Sequence, residues 1–127
     1  KVVEKTKEQF LYLRKENGKW LWSEKGNENN DVKYVGIINE NGFPSEAGII
    51  TFPNGDKYEG EWNAGVINGK GTFTWSGGNT YMGEWKDEKK HGQGTFTFSN
   101  GNKAIGEFRE DKPLNFGIAG LNVSKSK

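Results

Sequence analysis

The amino-acid sequence predicts an all-β protein: an elongated, single-layer antiparallel meander of stacked β-hairpin repeats. The first observation is a repeated segment. Tyr58–Trp62 (YEGEW) returns as Tyr81–Trp85 (YMGEW) and, in weaker form, as Ala104–Phe108 (AIGEF), so the starts differ by 81 − 58 = 23 and 104 − 81 = 23 residues. A period between about 20 and 50 residues is typical of repeat architectures. The second observation is strict alternation of side-chain type inside each segment, which is the period of a β-strand.

A third observation is the composition, which favours a thin sheet over a closed barrel. The chain has 127 residues, enough for one domain, but only 31% are apolar, and glycine contributes 19 residues. Aromatic side chains make up 13% of the sequence, and each can bury a large area on a single layer. We therefore expect a sheet without a thick core.

Charge and cysteine content exclude several classes of function. Eighteen basic and 17 acidic residues leave a net charge of +1, so we predict no nucleic-acid partner and no strong electrostatic attraction to an anionic membrane. Cysteine is absent, which excludes disulfides and thiolate metal sites; we expect neither metal nor cofactor. The chain begins with Lys1 and not Met, which tips the expectation towards export or the periplasm without fixing the compartment.

The first predicted unit, residues 1–33, is a charged tail followed by a capping hairpin. Strands at 10–15 and 19–24 flank Asn17-Gly18, a pair of residues that favours a two-residue type I′ turn. A polar loop is expected at 25–33. The cross-strand pairs that this turn predicts are Leu13 with Trp22 and Lys15 with Trp20.

The second predicted unit is a repeat array at 34–112, with a divergent first copy that starts at Tyr34 and a half copy that starts at Ala104. Within the copy that begins at Tyr58, we predict a strand at 58–62, a turn at 63–70, a strand at 71–75 and a tight turn at 76–79. A C-terminal cap and disordered tail are expected at 113–127.

A glycine lies at the centre of each first strand, and glycine there costs conformational entropy and packs no side chain. Its recurrence predicts a compensating contact, in which a neighbouring aromatic ring lies flat over the bare backbone. The four positions are Gly36, Gly60, Gly83 and Gly106.

The copies that begin at Tyr58 and Tyr81, each with a following Gly-Thr-Phe-Thr segment at Gly71 and Gly94, resemble MORN (membrane occupation and recognition nexus) repeats. The resemblance extends over about residues 34–112. It implies one β-hairpin per repeat, stacked in an elongated single-layer sheet, and a scaffold or interaction role. It also implies the contacts known in this family, which include phospholipid, a second copy and other proteins.

The predicted function is a non-enzymatic scaffold or interaction module that presents an aromatic groove to a protein or peptide, a second copy of the chain included. A single layer has no second sheet to cover its apolar face, and contiguous exposed apolar surface typically marks an interaction site. The same rings could instead serve only as the thin core. The groove residues are Tyr58, Trp62, Phe73, Trp75, Tyr81, Trp85, Phe96 and Phe98.

Two alternatives belong to other classes. A binding module for lipid headgroups or cell-wall ligands would use cationic side chains, and the candidates are Lys70, Lys86, Lys89 and Lys90. A hydrolase would use Glu61 and Glu84 as paired carboxylates, although we expect these to pair with threonine or lysine on neighbouring strands. His91, the single histidine, lies in a basic segment and is interpreted as structural.

Overall fold

The computed structural model describes the backbone of residues 9–119 and the side chains of residues 9–114. The described residues form one open antiparallel sheet of ten strands and contain no helix, which confirms the predicted fold class. The strands are β1 (Gln9–Glu16), β2 (Lys19–Ser23), β3 (Val32–Ile38), β4 (Pro44–Thr51), β5 (Lys57–Asn63), β6 (Val66–Thr74), β7 (Thr80–Lys86), β8 (Lys89–Thr97), β9 (Lys103–Arg109) and β10 (Lys112–Ala119).

Strands β3 to β10 lie side by side in chain order, whereas the N-terminal hairpin is arranged differently. Strand β1 lies between β2 and β3, and β2 forms the edge of the sheet. The predicted hairpin register is confirmed, because Leu13 pairs with Trp22 and Lys15 with Trp20. The strand order follows from the next pairing, in which Leu11 of β1 lies opposite Tyr34 of β3.

The segment that joins β2 to β3 must therefore cross β1. It packs on Tyr12, where a Cβ atom added to Gly26 would overlap the ring. The Tyr12 hydroxyl donates a hydrogen bond of 2.8 Å to Glu28 Oε1, and Lys33 forms an ion pair with the same carboxylate. The hydrogen bond to Glu28 raises the pKa of Tyr12, and the contact with Lys33 lowers the pKa of Glu28. The loop is shorter than predicted, since β3 already begins at Val32.

The second strand of each central unit is longer than predicted. The turn uses only Ala64 and Gly65, both at positive φ (47° and 89°), so β6 begins at Val66 instead of residue 71. The additional residues form a bulge opposite Glu61, where the register shifts between Gly60 and Trp62. Repetition showed where each unit starts, but the bulge depends on cross-strand contacts that a single strand's pattern does not contain.

Glycines from seven neighbouring strands lie directly opposite one another and form a row across β3 to β9. Tyrosine rings cover part of this row. A Cβ atom added to Gly48, Gly71 or Gly94 would overlap the ring of a tyrosine on the preceding strand, which is Tyr34, Tyr58 or Tyr81 respectively. The prediction placed a ring over the first-strand glycines, whereas the rings cover the glycines of the second strand. At Gly36, Gly60 and Gly83 an added Cβ atom would meet the backbone of the opposite strand and the tyrosine hydroxyl. The members of this glycine row are Gly36, Gly48, Gly60, Gly71, Gly83, Gly94 and Gly106.

The core is a single layer of tyrosine and tryptophan on one face of the sheet, here called the aromatic face. Tyr58 lies between Trp62 and Trp85, with both pairs of ring centroids 5.6 Å apart in edge-to-face geometry. Each indole N–H donates to a glycine-row carbonyl, Trp62 Nε1 to Gly48 at 3.1 Å and Trp85 Nε1 to Gly71 at 3.2 Å. These bonds satisfy the polar atoms that the buried rings carry.

At the C-terminal end, β10 includes Pro113, the first residue of the predicted C-terminal cap. Proline is tolerated there because β10 is an edge strand. The predicted disordered tail falls largely on residues 120–127, outside the described residues.

Candidate functional site: an aromatic ladder and an N-terminal groove

The structure divides the eight predicted groove residues by exposure. Tyr58 and Tyr81 are fully buried, and Trp62 and Trp85 expose only 5% and 7% of their surface. These four rings form the core and offer little accessible surface to a partner, although Trp62 lines the groove described below. The accessible members are the half-buried Phe73, Trp75 and Phe96, together with the exposed Phe98.

Burial also alters the two core tyrosine hydroxyls. It raises the pKa of Tyr81 to about 12, with the carboxylates of Glu84 and Asp111 acting in the same direction. Burial likewise raises the pKa of Tyr58, whose hydroxyl donates to the Glu61 carbonyl at 3.0 Å. Both groups stay protonated across the physiological range and act as hydrogen-bond donors.

The accessible rings form a continuous row along one side of the aromatic face. Phe52, which is not among the predicted groove residues, begins this row. Successive ring centroids are 6.2, 4.7, 5.5 and 5.0 Å apart. We call this row the aromatic ladder, and its members in order are Phe52, Phe73, Trp75, Phe96 and Phe98.

A groove of about 900 Å³ lies at the N-terminal end of the sheet. Trp20 and Phe43, 61% and 42% exposed, lie at its surface. Trp22 and Trp62 also line it, 6.2 Å apart between ring centroids, and Glu88 contributes a carboxylate. Alternation along β2 places Trp20 and Trp22 on one face, but the sequence carries no signal that turns from three later hairpins, at Phe43, Gly65 and Glu88, would complete a groove around them.

The four predicted lysines do not form one cationic surface. Alternation along β6, β7 and β8 places Lys70, Lys86 and Lys89 on the face opposite Trp85, whereas Lys90 lies on the aromatic face. The first three are exposed. Lys86 and Lys89 pair directly across the strands, a like-charge contact that is unfavourable in a sheet.

Lys90 has a different environment. Its Nζ lies 5.7–5.9 Å from the centroids of four aromatic rings and 3.4 Å from Asp111 Oδ1. Its side chain is 20% exposed. Lys90 is therefore held inside the protein by cation–π contacts and an ion pair, and it is a poor candidate for a headgroup contact. The rings of this aromatic cage belong to Trp75, Tyr81, Trp85 and Phe108.

The two carboxylates of the hydrolase alternative line a shallow surface depression together with His91. Glu61 Oε1 accepts the backbone N–H of Lys70 at 2.8 Å, so the expected partner residue is correct but the bond is to its main chain. Glu84 lies against Gly92 at the equivalent bulge. Both carboxylates thus support bulge backbone. Among the described residues, no group of three or more His, Cys, Asp or Glu could hold a metal ion.

No helix long and apolar enough to cross a membrane occurs in the part of the chain that the structure describes. A search of curated proteins found no match. The family model for the MORN repeat matches three consecutive segments, 40–57, 58–80 and 81–103. The last two starts coincide with the predicted copies, while the first lies after the divergent Tyr34 segment. MORN repeats are generally non-enzymatic modules for protein or membrane interactions. Since the matched segments span half of the sequence, the chain belongs to the MORN repeat family.

Proposed function

We propose that this chain is a non-enzymatic interaction module whose aromatic face binds a protein or peptide partner. The observation that carries the proposal is the aromatic ladder: five rings in continuous contact, of which Phe98 exposes 37% of its surface. Within the described residues the sheet is a single layer, so no second sheet covers these rings. Contiguous apolar surface of this kind is typical of interaction sites.

The ladder suits an extended segment that runs across the strands. Neighbouring strands lie about 4.8 Å apart, so equivalent rings of successive hairpins recur about every 10 Å, close to three residues of extended chain at about 3.3 Å each. A bound segment would place every third side chain against a ring. Tryptophan and tyrosine commonly dominate binding energies at such contacts.

A displayed library of random dodecapeptides, selected on the purified protein, tests the proposal. We expect enriched peptides to bind wild type and to lose at least about tenfold in affinity with Phe98→Ala or Trp75→Ala. Met82→Ala is the matched control, because Met82 is 60% exposed and lies on the opposite face. Sedimentation velocity of the same variants tests a second copy as the partner. Absence of both peptide enrichment and self-association would contradict the proposal.

The lipid alternative retains a specific observation, the exposed Lys70, Lys86 and Lys89 on the opposite face. It predicts co-sedimentation with phosphatidylserine vesicles that weakens from 50 to 300 mM salt, by roughly the screening expected for surface charges, and that Lys86→Ala with Lys89→Ala abolishes. Equal recovery with neutral vesicles would remove this alternative. Loss of vesicle binding with Phe98→Ala would instead show that vesicles bind the aromatic face.

A further inference from the structure

We propose that the N-terminal groove binds a lysine or arginine side chain of an extended partner segment, with Glu88 as its counter-ion. This deepens the proposed function and rests on it, since it names the chemistry of the partner. The occupant is a partner peptide in which one basic residue is flanked by apolar residues. The argument starts from a cation that the protein already holds.

Lys90 shows what the aromatic face does with an ammonium group. Its Nζ lies within 6 Å of the four rings of the aromatic cage and pairs with Asp111 at 3.4 Å. Asp111 also accepts the backbone N–H of Lys90 at 2.8 Å. Rings and one carboxylate together thus form a complete cation site, with attraction from the ring quadrupoles and from the charge.

The preceding repeat contains the same site without its cation. Moving each cage residue back by 23 positions gives Phe52, Tyr58, Trp62 and Trp85, all aromatic. The same step converts Asp111 into Glu88 and Lys90 into Ile67. The backbone confirms the equivalence, because Glu88 N donates to Ile67 O as Asp111 N donates to Lys90 O, both at 2.9 Å.

Isoleucine ends well short of the position that a lysine ammonium reaches. Beyond Ile67 lies the groove of about 900 Å³, and Phe52, Trp62, Ile67 and Glu88 all line it. Within the described residues Glu88 forms no ion pair. The groove therefore presents a carboxylate and aromatic surface where the next repeat holds its own ammonium, and an incoming basic side chain complements both in charge and in shape.

The first repeat has no equivalent cation site in its described residues. Gly65 N donates to Pro44 O at 2.8 Å in the equivalent bond, but neither residue is charged. On the hairpin side of the groove, Lys15 Nζ lies 5.7 Å from the centroid of the Trp20 ring and places a positive charge there. We therefore expect the basic side chain to lie towards Trp62 and Glu88, and the apolar flanks of the peptide to lie against Trp20 and Phe43.

The dodecapeptide selection described above supplies the probes. We expect one class of enriched peptides to contain a lysine or arginine between apolar residues. Their affinity should fall about tenfold or more with Glu88→Gln and with Trp20→Ala, and should be unchanged with Asp87→Asn, the matched control in the same turn. Ile67→Lys should abolish binding, because it supplies an internal cation. Replacing the peptide's basic residue by norleucine should cost as much as Glu88→Gln.

The outcomes separate this inference from the proposed function. Peptides that bind Glu88→Gln as tightly as wild type, or that carry no basic residue, would overturn the inference. If such peptides still lose affinity with Phe98→Ala, the proposed function stands and only the inference about the basic side chain fails. If Ile67→Lys proves unfolded by circular dichroism, Glu88→Gln and the norleucine peptide still decide, since both leave the core unchanged.

Discussion

The two central hairpins, β5–β6 and β7–β8, share one core but differ at the ends of their strands. Both have the same tyrosine, glycine pair, glutamate and tryptophan, and both have the same bulge. They diverge at Ile67 against Lys90 and at Ala64-Gly65 against Asp87-Glu88. The shared positions specify how the sheet forms, whereas the divergent ones determine whether a lysine ammonium lies among the rings, as at Lys90, or is absent, as at Ile67.

Truncation of a shared core tryptophan should have the largest effect. Trp85→Ala removes a ring that is 7% exposed and touches Tyr58, Phe73 and Tyr81. We expect a loss of about 3–5 kcal/mol in the free energy of unfolding, as for other buried aromatic truncations. Urea titration followed by circular dichroism measures it. Trp20→Ala, at a ring that is 61% exposed, is the control and should cost well under half as much.

Filling the glycine row should have the next largest effect, and a similar one in both hairpins. Gly71→Ala and Gly94→Ala place a methyl group inside the ring of Tyr58 or Tyr81, and such overpacking costs about 1–3 kcal/mol. Gly77→Ala is the matched control, because nothing lies within 4 Å of a Cβ atom there. Equal melting temperatures for all three variants would show that the rings move away without cost.

Alkaline pH should reveal the buried hydroxyl of Tyr81. Its pKa is raised from 10.0 to about 12 in the folded state, so the native protein binds more protons than the unfolded chain between these values. The resulting stability is complete below pH 10 and is lost as pH rises towards 12, by roughly 1 kcal/mol at pH 11. Urea titrations at pH 8 and pH 11 should show a smaller loss in Tyr81→Phe than in wild type. An identical loss would assign the alkaline sensitivity to other groups.

Replacing the internal cation should have the smallest effect on stability. Lys90→Met keeps the apolar stem and removes the ammonium from the four rings and from Asp111, which we expect to cost about 0.5–1 kcal/mol. The difference from wild type should shrink in 1 M NaCl, since salt screens the half-exposed ion pair. A salt-independent difference would indicate that Lys90 contributes through packing alone.

Much of the fold follows from the sequence, because period, alternation and turn chemistry are local. The 23-residue spacing and Asn17-Gly18 are enough to predict the sheet and the hairpin register, and the recurring glycine predicts contact with an aromatic ring, but not that the ring is tyrosine or that it covers the second-strand glycine. The position of β1 between β2 and β3 cannot be read from local sequence. It depends on which strand of the N-terminal hairpin pairs with β3, and Leu11 of β1 lies opposite Tyr34. Exposure is equally non-local: the pattern places Trp85 and Trp75 on one face, yet Trp85 is buried against two tyrosine rings, whereas the half-buried Trp75 contacts only Phe73 and Phe96 of the aromatic ladder among its ring neighbours. For the same reason the sequence alone does not separate the enclosed Lys90 from the exposed Lys70, Lys86 and Lys89.

The glycine row also sets the rule by which this array can lengthen or shorten in evolution. Adding or removing a whole unit keeps every glycine opposite another and widens or narrows the sheet by about 10 Å, two strands at about 4.8 Å each. A single inserted residue within a strand would exchange its two faces. The divergent first unit has one residue more than the others before its second glycine. Its register shift between Gly36 and Ile38 equals that of the later units, so the longer turn between β3 and β4 absorbs the extra residue. Duplication of complete units is therefore the route by which new binding positions can arise without loss of the core.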